Sequence, residues 1–155
     1  MAKTNNPKKQ PPLSRRSRAR MLAMQGVYQW LITGYDYATI ESQLHSEPGF
    51  NKADLSLFQT LLDGTLSSVV PLHESLTPFV DRPVQELSLI EHSVLLVAAY
   101  ELLYAPETPF QVIINEAIEL TKSFGGSDGH RYVNGVLNQL ARAVRAVEVQ
   151  RYQQR

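Results

Sequence analysis

Thr108-Pro109-Phe110-Gln111-Val112-Ile113-Ile114-Asn115-Glu116-Ala117-Ile118-Glu119-Leu120-Thr121-Lys122-Ser123-Phe124-Gly125-Gly126 is the stretch whose periodicity sets the fold class. Phe110, Ile113, Ile114, Ala117, Ile118 and Thr121 return every three or four residues, which puts them on one face of a helix. Thr108 followed three positions later by Gln111 has the capping-box pattern, and Pro109 suits the first helical position, where its missing N–H costs nothing. Gly125-Gly126 closes the helix.

The same grammar extends in both directions. Downstream, Ser127 or Asp128 can cap a last helix whose stripe is Val133, Val136, Leu137, Leu140, Val144 and Val147. Upstream, Ser88 and Glu91 form an S-x-x-E capping box ahead of the apolar run Val94–Ala99, and that helix ends before Pro106. In the first half, Ser14 caps a long helix running to about Thr33, with Met24, Val27, Tyr28 and Leu31 at helical spacing and Gly34 as its stop. Asp36 caps a short helix carrying Ile40 and Leu44. Pro48-Gly49 breaks the chain, and Asn51 is the expected cap of a third helix with Leu55, Phe58, Leu62, Leu66 and Val69 on its stripe. Pro71, Pro78 and Pro83 bracket a short helix around Leu72–Phe79, and a subdomain boundary is expected near residues 80–86. β-Branched clusters and strict alternation never coincide, and there is no solenoid-length repeat. The chain reads as all-α with about seven helices: a flexible basic tail over 1–12, an N-terminal helical subdomain over 13–82 and a C-terminal one over 83–155.

Composition narrows the function. At 155 residues and 43% apolar, the chain can bury a core, and its longest apolar run, Val94–Tyr100, is far short of the ~20 residues of a membrane span. Cysteine is absent, which excludes disulfides, thiolate catalysis and cysteine-held zinc and fits a reducing interior without proving one; a cytoplasmic placement is the expectation. Net charge is zero, but unevenly distributed: residues 1–35 hold seven basic residues and no acid, 36–119 two basic and thirteen acidic, and 120–155 six basic and two acidic. The ends suit a polyanion and the middle suits a basic partner.

Enzyme chemistry finds no foothold. The histidines (His45, His73, His92, His130) lack ligand spacing, and P-loop, G-x-S-x-G and H-E-x-x-H motifs are missing. The glycine-rich segment Gly125–Gly129 lacks the G-K-[ST] ending and follows a helix, so it reads as a connector beside a nucleic-acid backbone rather than a nucleotide cradle. Glu116 and Glu119 read as charges on an outer helix face rather than a catalytic pair. No catalytic residue, metal site or cofactor is expected.

The basic residues are more telling. Arg15, Arg16, Arg18 and Arg20 fan around the first helical turns, where the macrodipole prefers acids; each exposed one costs ~0.3–1 kcal/mol there. An anionic partner offsets that cost, and arginine's planar fork matches phosphate and stacks on bases. A solvated basic end is the competing reading. If all four grip phosphates, log K should fall with log salt at a slope near ~−3. His130, Arg131 and Tyr132 open the last helix as a second candidate patch. Tyr132 sits off the apolar stripe, so it fits equally a base-stacking platform and a tyrosine at the core edge with its hydroxyl in water.

Three blocks carry a resemblance that covers about residues 13–147. Arg15-Arg16-Ser17-Arg18-Ala19-Arg20 with Gln25 and Tyr28, Ile114-Asn115-Glu116-Ala117-Ile118-Glu119-Leu120-Thr121-Lys122-Ser123-Phe124-Gly125, and Tyr132-Val133-Asn134-Gly135-Val136-Leu137 resemble, in order and spacing, the NusB family of bacterial antitermination factors. Gly26 departs from the more helix-favouring small residue expected there, and Tyr132 stands where phenylalanine is common. The resemblance implies two three-helix subdomains packed roughly at right angles. It also implies binding of single-stranded boxA RNA of ribosomal-RNA leaders together with a small-subunit ribosomal protein, NusE, in an assembly with other Nus factors and RNA polymerase. It places RNA contacts at Arg15, Arg16, Arg18, Arg20, Asp128, His130, Arg131 and Tyr132, and protein contacts at Tyr28 and Glu91. Asn115, Glu116 and Asn134-Gly135 are read as structural markers acting through capping, interhelix bonding and close packing. Two other readings are an accessory subunit of an RNA-modifying enzyme and a helical module that binds no RNA.

Overall fold

The computed structural model describes residues 12–126 and 128–154; the tail reading for 1–12 and the Ser127 cap fall almost wholly or wholly outside them. Within the described residues the chain forms eight α-helices and no strand: α1 (Arg15–Thr33), α2 (Tyr37–Leu44), α3 (Leu55–Ser67), α4 (Val69–Leu76), α5 (Leu89–Tyr104), α6 (Phe110–Phe124), α7 (Gly129–Val144) and α8 (Ala146–Gln153). Short 3-10 turns occupy Phe50–Lys52, Thr77–Phe79 and Val84–Glu86. The all-α expectation holds, with one helix more than expected.

Several caps fall where the sequence puts them. Ser14 Oγ accepts from the Ser17 N–H at 3.0 Å, Asp36 Oδ1 from Thr39 at 2.9 Å and Ser88 Oγ from Glu91 at 3.2 Å. Gly34 ends α1 at φ 69°, a left-handed conformation that lets its N–H reach the Trp30 carbonyl.

Four boundaries differ from the expectation, and distant contacts account for three of them. Asn51 does not cap α3. The buried Phe50 ring meets Phe58 edge-on at 5.5 Å, and the Asp54 N–H donates to the Arg15 carbonyl at 3.0 Å, so Phe50–Lys52 form only a 3-10 turn and Ala53 is extended. Asp54 is the cap, accepting from the Leu57 N–H at 3.1 Å. Leu55, expected inward, is 40% exposed, and Leu61 takes a place in the core instead. The helix between the prolines begins earlier, at Val69; Pro71 lies in its first turn, where no backbone N–H is needed.

The Thr108–Gln111 capping box does not form either. Pro109 occupies the cap position, and the Phe110 N–H is accepted by Glu148 Oε1 from α8 at 2.9 Å. The last stripe breaks at Arg145, whose guanidinium turns back under α5. It donates to the carbonyls of Glu101, Leu102, Ala105 and Thr108, and it pairs with Glu148. It thereby satisfies the Leu102 carbonyl in the last turn of α5, whose helical donor four residues on would be Pro106, which has no N–H. Val147 is left 62% exposed rather than on the stripe.

α5 is the hub. It packs against α1, α3, α4, α6 and α7, and His92–Ala99, Glu101 and Leu102 are all buried. This explains its near-continuous apolar sequence, because a helix covered on all sides has no polar face.

Candidate nucleic-acid interface

The opening of α1 divides the arginine block. Arg15 and Arg16 are exposed, Arg18 is half-buried, and Arg20 is 3% exposed. The expectation that Arg20 faces RNA is corrected. It lies one turn deeper, beside the buried Ala19, Leu22 and Ala23, where α1 meets α5 and α6. Its Nε and Nη2 donate to Glu101 Oε2 and Oε1 at 2.9 and 3.1 Å, and Nη1 stands 4.0 Å from Glu116 Oε1. A cavity of about 10 Å³ beside the pair holds at most about one water.

Glu116 is correspondingly not on an outer face. Its Oε1 accepts from Ser17 Oγ at 2.7 Å, and Ser17 in turn accepts from the Ser14 hydroxyl at 2.9 Å. The N-cap of α1 is thus tied to the middle of α6, which bears out the bonding role read for Glu116. Of the arginines that stay outside, Arg16 lies 3.8 Å from Asp54, an exposed pair of little strength. Arg18 lays its guanidinium against Gly49, where any side chain would collide with it, and its buried Nε has no hydrogen-bond partner.

The second patch forms at the start of α7. Asp128 and Arg131 are exposed, and His130 and Tyr132 are half-buried. Tyr132 packs against the core, its hydroxyl donates to Asp81 Oδ1 at 3.0 Å, and the same oxygen accepts from the Asp81 N–H at 3.2 Å. Arg82 covers one face of the ring, 5.6 Å from its centroid, while its Nε holds Asp81 at 3.0 Å. Bonds from Arg82 and then Tyr132 keep the Asp81 carboxyl below its usual range, and burial is the main cause pushing the Tyr132 hydroxyl up. Of the two readings of Tyr132, the core edge describes its packing, with Asp81 rather than water on its hydroxyl. Asp81 and Arg82 were not among the sequence candidates. The available signal was that Arg82 and Lys52 are the two basic residues in the acidic middle.

Glu91 stands beside the second patch. Its Oε2 accepts from the Ser88 hydroxyl at 3.0 Å, while Oε1 reaches the first turn of α7, 2.9 Å from where a Cβ on Gly129 would stand. There it complements the helix N-terminus. Tyr28, its expected companion, is half-buried on α1. α6 joins the two basic patches. Its Glu116, Glu119, Ser123 and Phe124 line a groove of about 570 Å³ against Leu13 and Met21, and Thr121 abuts Gly129.

Gly26 is explained by packing: a Cβ there would meet Leu62 Cδ1 at 2.6 Å, at the crossing of α1 and α3. The close packing read for Gly135 is corrected, because nothing lies within 4 Å of where its Cβ would be. Asn115 is exposed. Among the described residues, no group of three His, Asp or Glu could hold a metal, and no helix is long and apolar enough to cross a membrane.

The model of the NusB family matches residues 17–142. The transcription antitermination protein NusB of Ralstonia nicotianae is 54% identical over 151 residues, covering 96% of this chain and 97% of that one. Its namesake from Azoarcus is 51% identical over 136 residues, covering 87% and 88%. Among solved structures, T. maritima NusB overlays with a TM-score of 0.77 at 21% identity, covering 90% of this chain and 99% of that one. A complex of the antitermination factors NusB and NusE with double-stranded RNA gives a TM-score of 0.76 at 18% identity, covering 82% and 96%. At those identities the overlays speak for the fold. With relatives above half identity across nearly the whole length, and with the arginine-headed first helix and the buried α5 in place, this chain belongs to the NusB family.

Proposed function

We propose that this chain is a transcription antitermination factor. In this reading it holds single-stranded boxA-type leader RNA on its basic ends while its acidic middle docks the ribosomal protein NusE, within an assembly of Nus factors and RNA polymerase. It acts as an adaptor in the cytoplasm and catalyses no reaction. The observation that carries this reading is the exposed Arg15–Arg16 pair at the unfavourable end of α1, in a chain whose relatives bear that name. The RNA contacts are Arg15, Arg16 and Arg18 on one side and Asp128, His130, Arg131 and Tyr132 on the other. Arg20 acts from inside, holding α1 in place. Glu91 and Tyr28 contact the protein partner. Division into subdomains at residues 82 and 83 belongs to the same proposal.

Two ligands on one scaffold raise each other's apparent affinity. Filter binding of a boxA leader RNA, with and without the ribosomal protein, tests this. RNA affinity should rise when the partner is added, and it should fall for Arg16→Ala with the helix content unchanged. Glu91→Lys should instead remove the partner's enhancement. RNA retention by the Arg15→Ala/Arg16→Ala double variant equal to that of the unaltered chain would defeat the proposal.

A further inference from the structure

The outward face of α7 shows a feature that the core does not explain. Gly135 sits in the middle of this helix, where glycine is the least favourable residue after proline. The other glycines inside helices have packing reasons: Gly26 is pressed by Leu62, and Gly64 by the Tyr100 ring. Gly135 is exposed, with open space above it. Around it, on one side of the helix, lie Arg131, Asn134, Asn138 and Arg142, following the three- and four-residue spacing that aligns side chains on one face. α7 contains no Asp or Glu, and neither Arg131 nor Arg142 forms an ion pair among the described residues.

The two asparagines are already organised. Asn138 Nδ2 donates to Asn134 Oδ1 at 2.7 Å and to its carbonyl at 2.9 Å. That fixes the Asn134 amide with its Nδ2 donors free to face outward. The face therefore presents two cations and a fixed amide donor around a site with no side chain. Such an arrangement fits a phosphodiester backbone lying close to the helix, since a Cβ would hold it away and an acid would repel it.

We propose that the RNA track continues from the start of α7 along its exposed face, with the backbone crossing the helix at Gly135 between Arg131 and Arg142. The inference rests on the RNA-binding reading above and extends it to a surface about 16 Å long, the rise of eleven helical residues. The occupant is RNA rather than protein because, beyond the capping Asp128, the face carries two arginines and no acid and runs on from Tyr132.

The test exploits an opposition between stability and binding. Gly135→Ala should raise the melting temperature, as alanine favours the helix and meets no neighbour, yet weaken binding of a boxA leader RNA several-fold. Gly135→Gln should weaken it about tenfold. Arg142→Ala should lower the salt slope of RNA binding by about 0.7. Unchanged RNA affinity in Gly135→Gln would overturn the proposal. If, in addition, that variant loses the ribosomal protein, the face belongs to the protein partner instead. Arg15→Ala/Arg16→Ala separates the two claims: if it loses RNA while Gly135→Gln does not, the α7 track fails and the function stands. If the unaltered chain itself retains no leader RNA, both fail.

Discussion

Arg20 and Glu101 form a two-point ion pair inside the protein, with bonds of 2.9 and 3.1 Å and exposures of 3% and 1%. The pair joins α1 to α5, and through Glu116 and Ser17 it reaches the capped start of α1 that displays Arg15 and Arg16.

Breaking this pair from one side should be severe. Arg20→Ala strands a buried carboxylate, and about 3–5 kcal/mol of stability should be lost in urea unfolding. Arg20→Met combined with Glu101→Leu should recover most of that loss, because it leaves no fully buried charge uncompensated and the part-exposed Glu116 keeps its Ser17 bond. A loss below about 1 kcal/mol for Arg20→Ala would show that the bridge contributes little.

The salt dependence of RNA binding should reflect the same burial. With Arg20 inside, three arginines of α1 remain, and each phosphate contact on a single strand contributes about −0.7 to the slope. The expected α1 contribution to log K against log salt is thus about −2 rather than −3. The difference in slope between the unaltered chain and an Arg15→Ala/Arg16→Ala/Arg18→Ala variant measures it.

His73 and His92 should make the fold sensitive to mild acid. Their Nε2 atoms lie 2.8 Å apart, so one must donate while the other accepts, and protonating both sets donor against donor. Burial and then His73 hold His92 down to about 4, and burial also lowers His73. The unfolded chain therefore takes up protons first as pH falls below about 6.5. Stability should be full above that value, decline through the window down to about pH 4 and level off below it as far as this pair is concerned. Thermal melts of the unaltered chain and His92→Gln across that range should converge at low pH.

Gly26→Ala should destabilise despite alanine's better helix propensity. Its Cβ would stand 2.6 Å from Leu62 Cδ1 and 3.2 Å from Leu44 Cδ1. Overpacking of this kind costs ~1–3 kcal/mol, more than the ~1 kcal/mol that alanine gains in a helix. Denaturant midpoints decide the sign, and Gly135→Ala, with open space around it, supplies the opposite control.

The sequence by itself determined the helical class, most helix starts and the polarity of the ends. Those are local matters: Ser14, Asp36 and Ser88 cap through bonds three residues away, and the apolar periodicity needs no partner to be read. Tertiary structure decided what local signals could not. Four arginines spaced around one helix look alike until α5 supplies Glu101, and then one of them becomes part of the core. Thr108 looked like a cap, but Glu148, thirty-eight residues away from Phe110, took that role. Two helix glycines carry the same letter, yet Leu62 presses on Gly26 and nothing presses on Gly135. In each case the deciding atom lies far along the chain but close in space. Desolvation and steric contact act on that spatial neighbour, which sequence spacing does not encode.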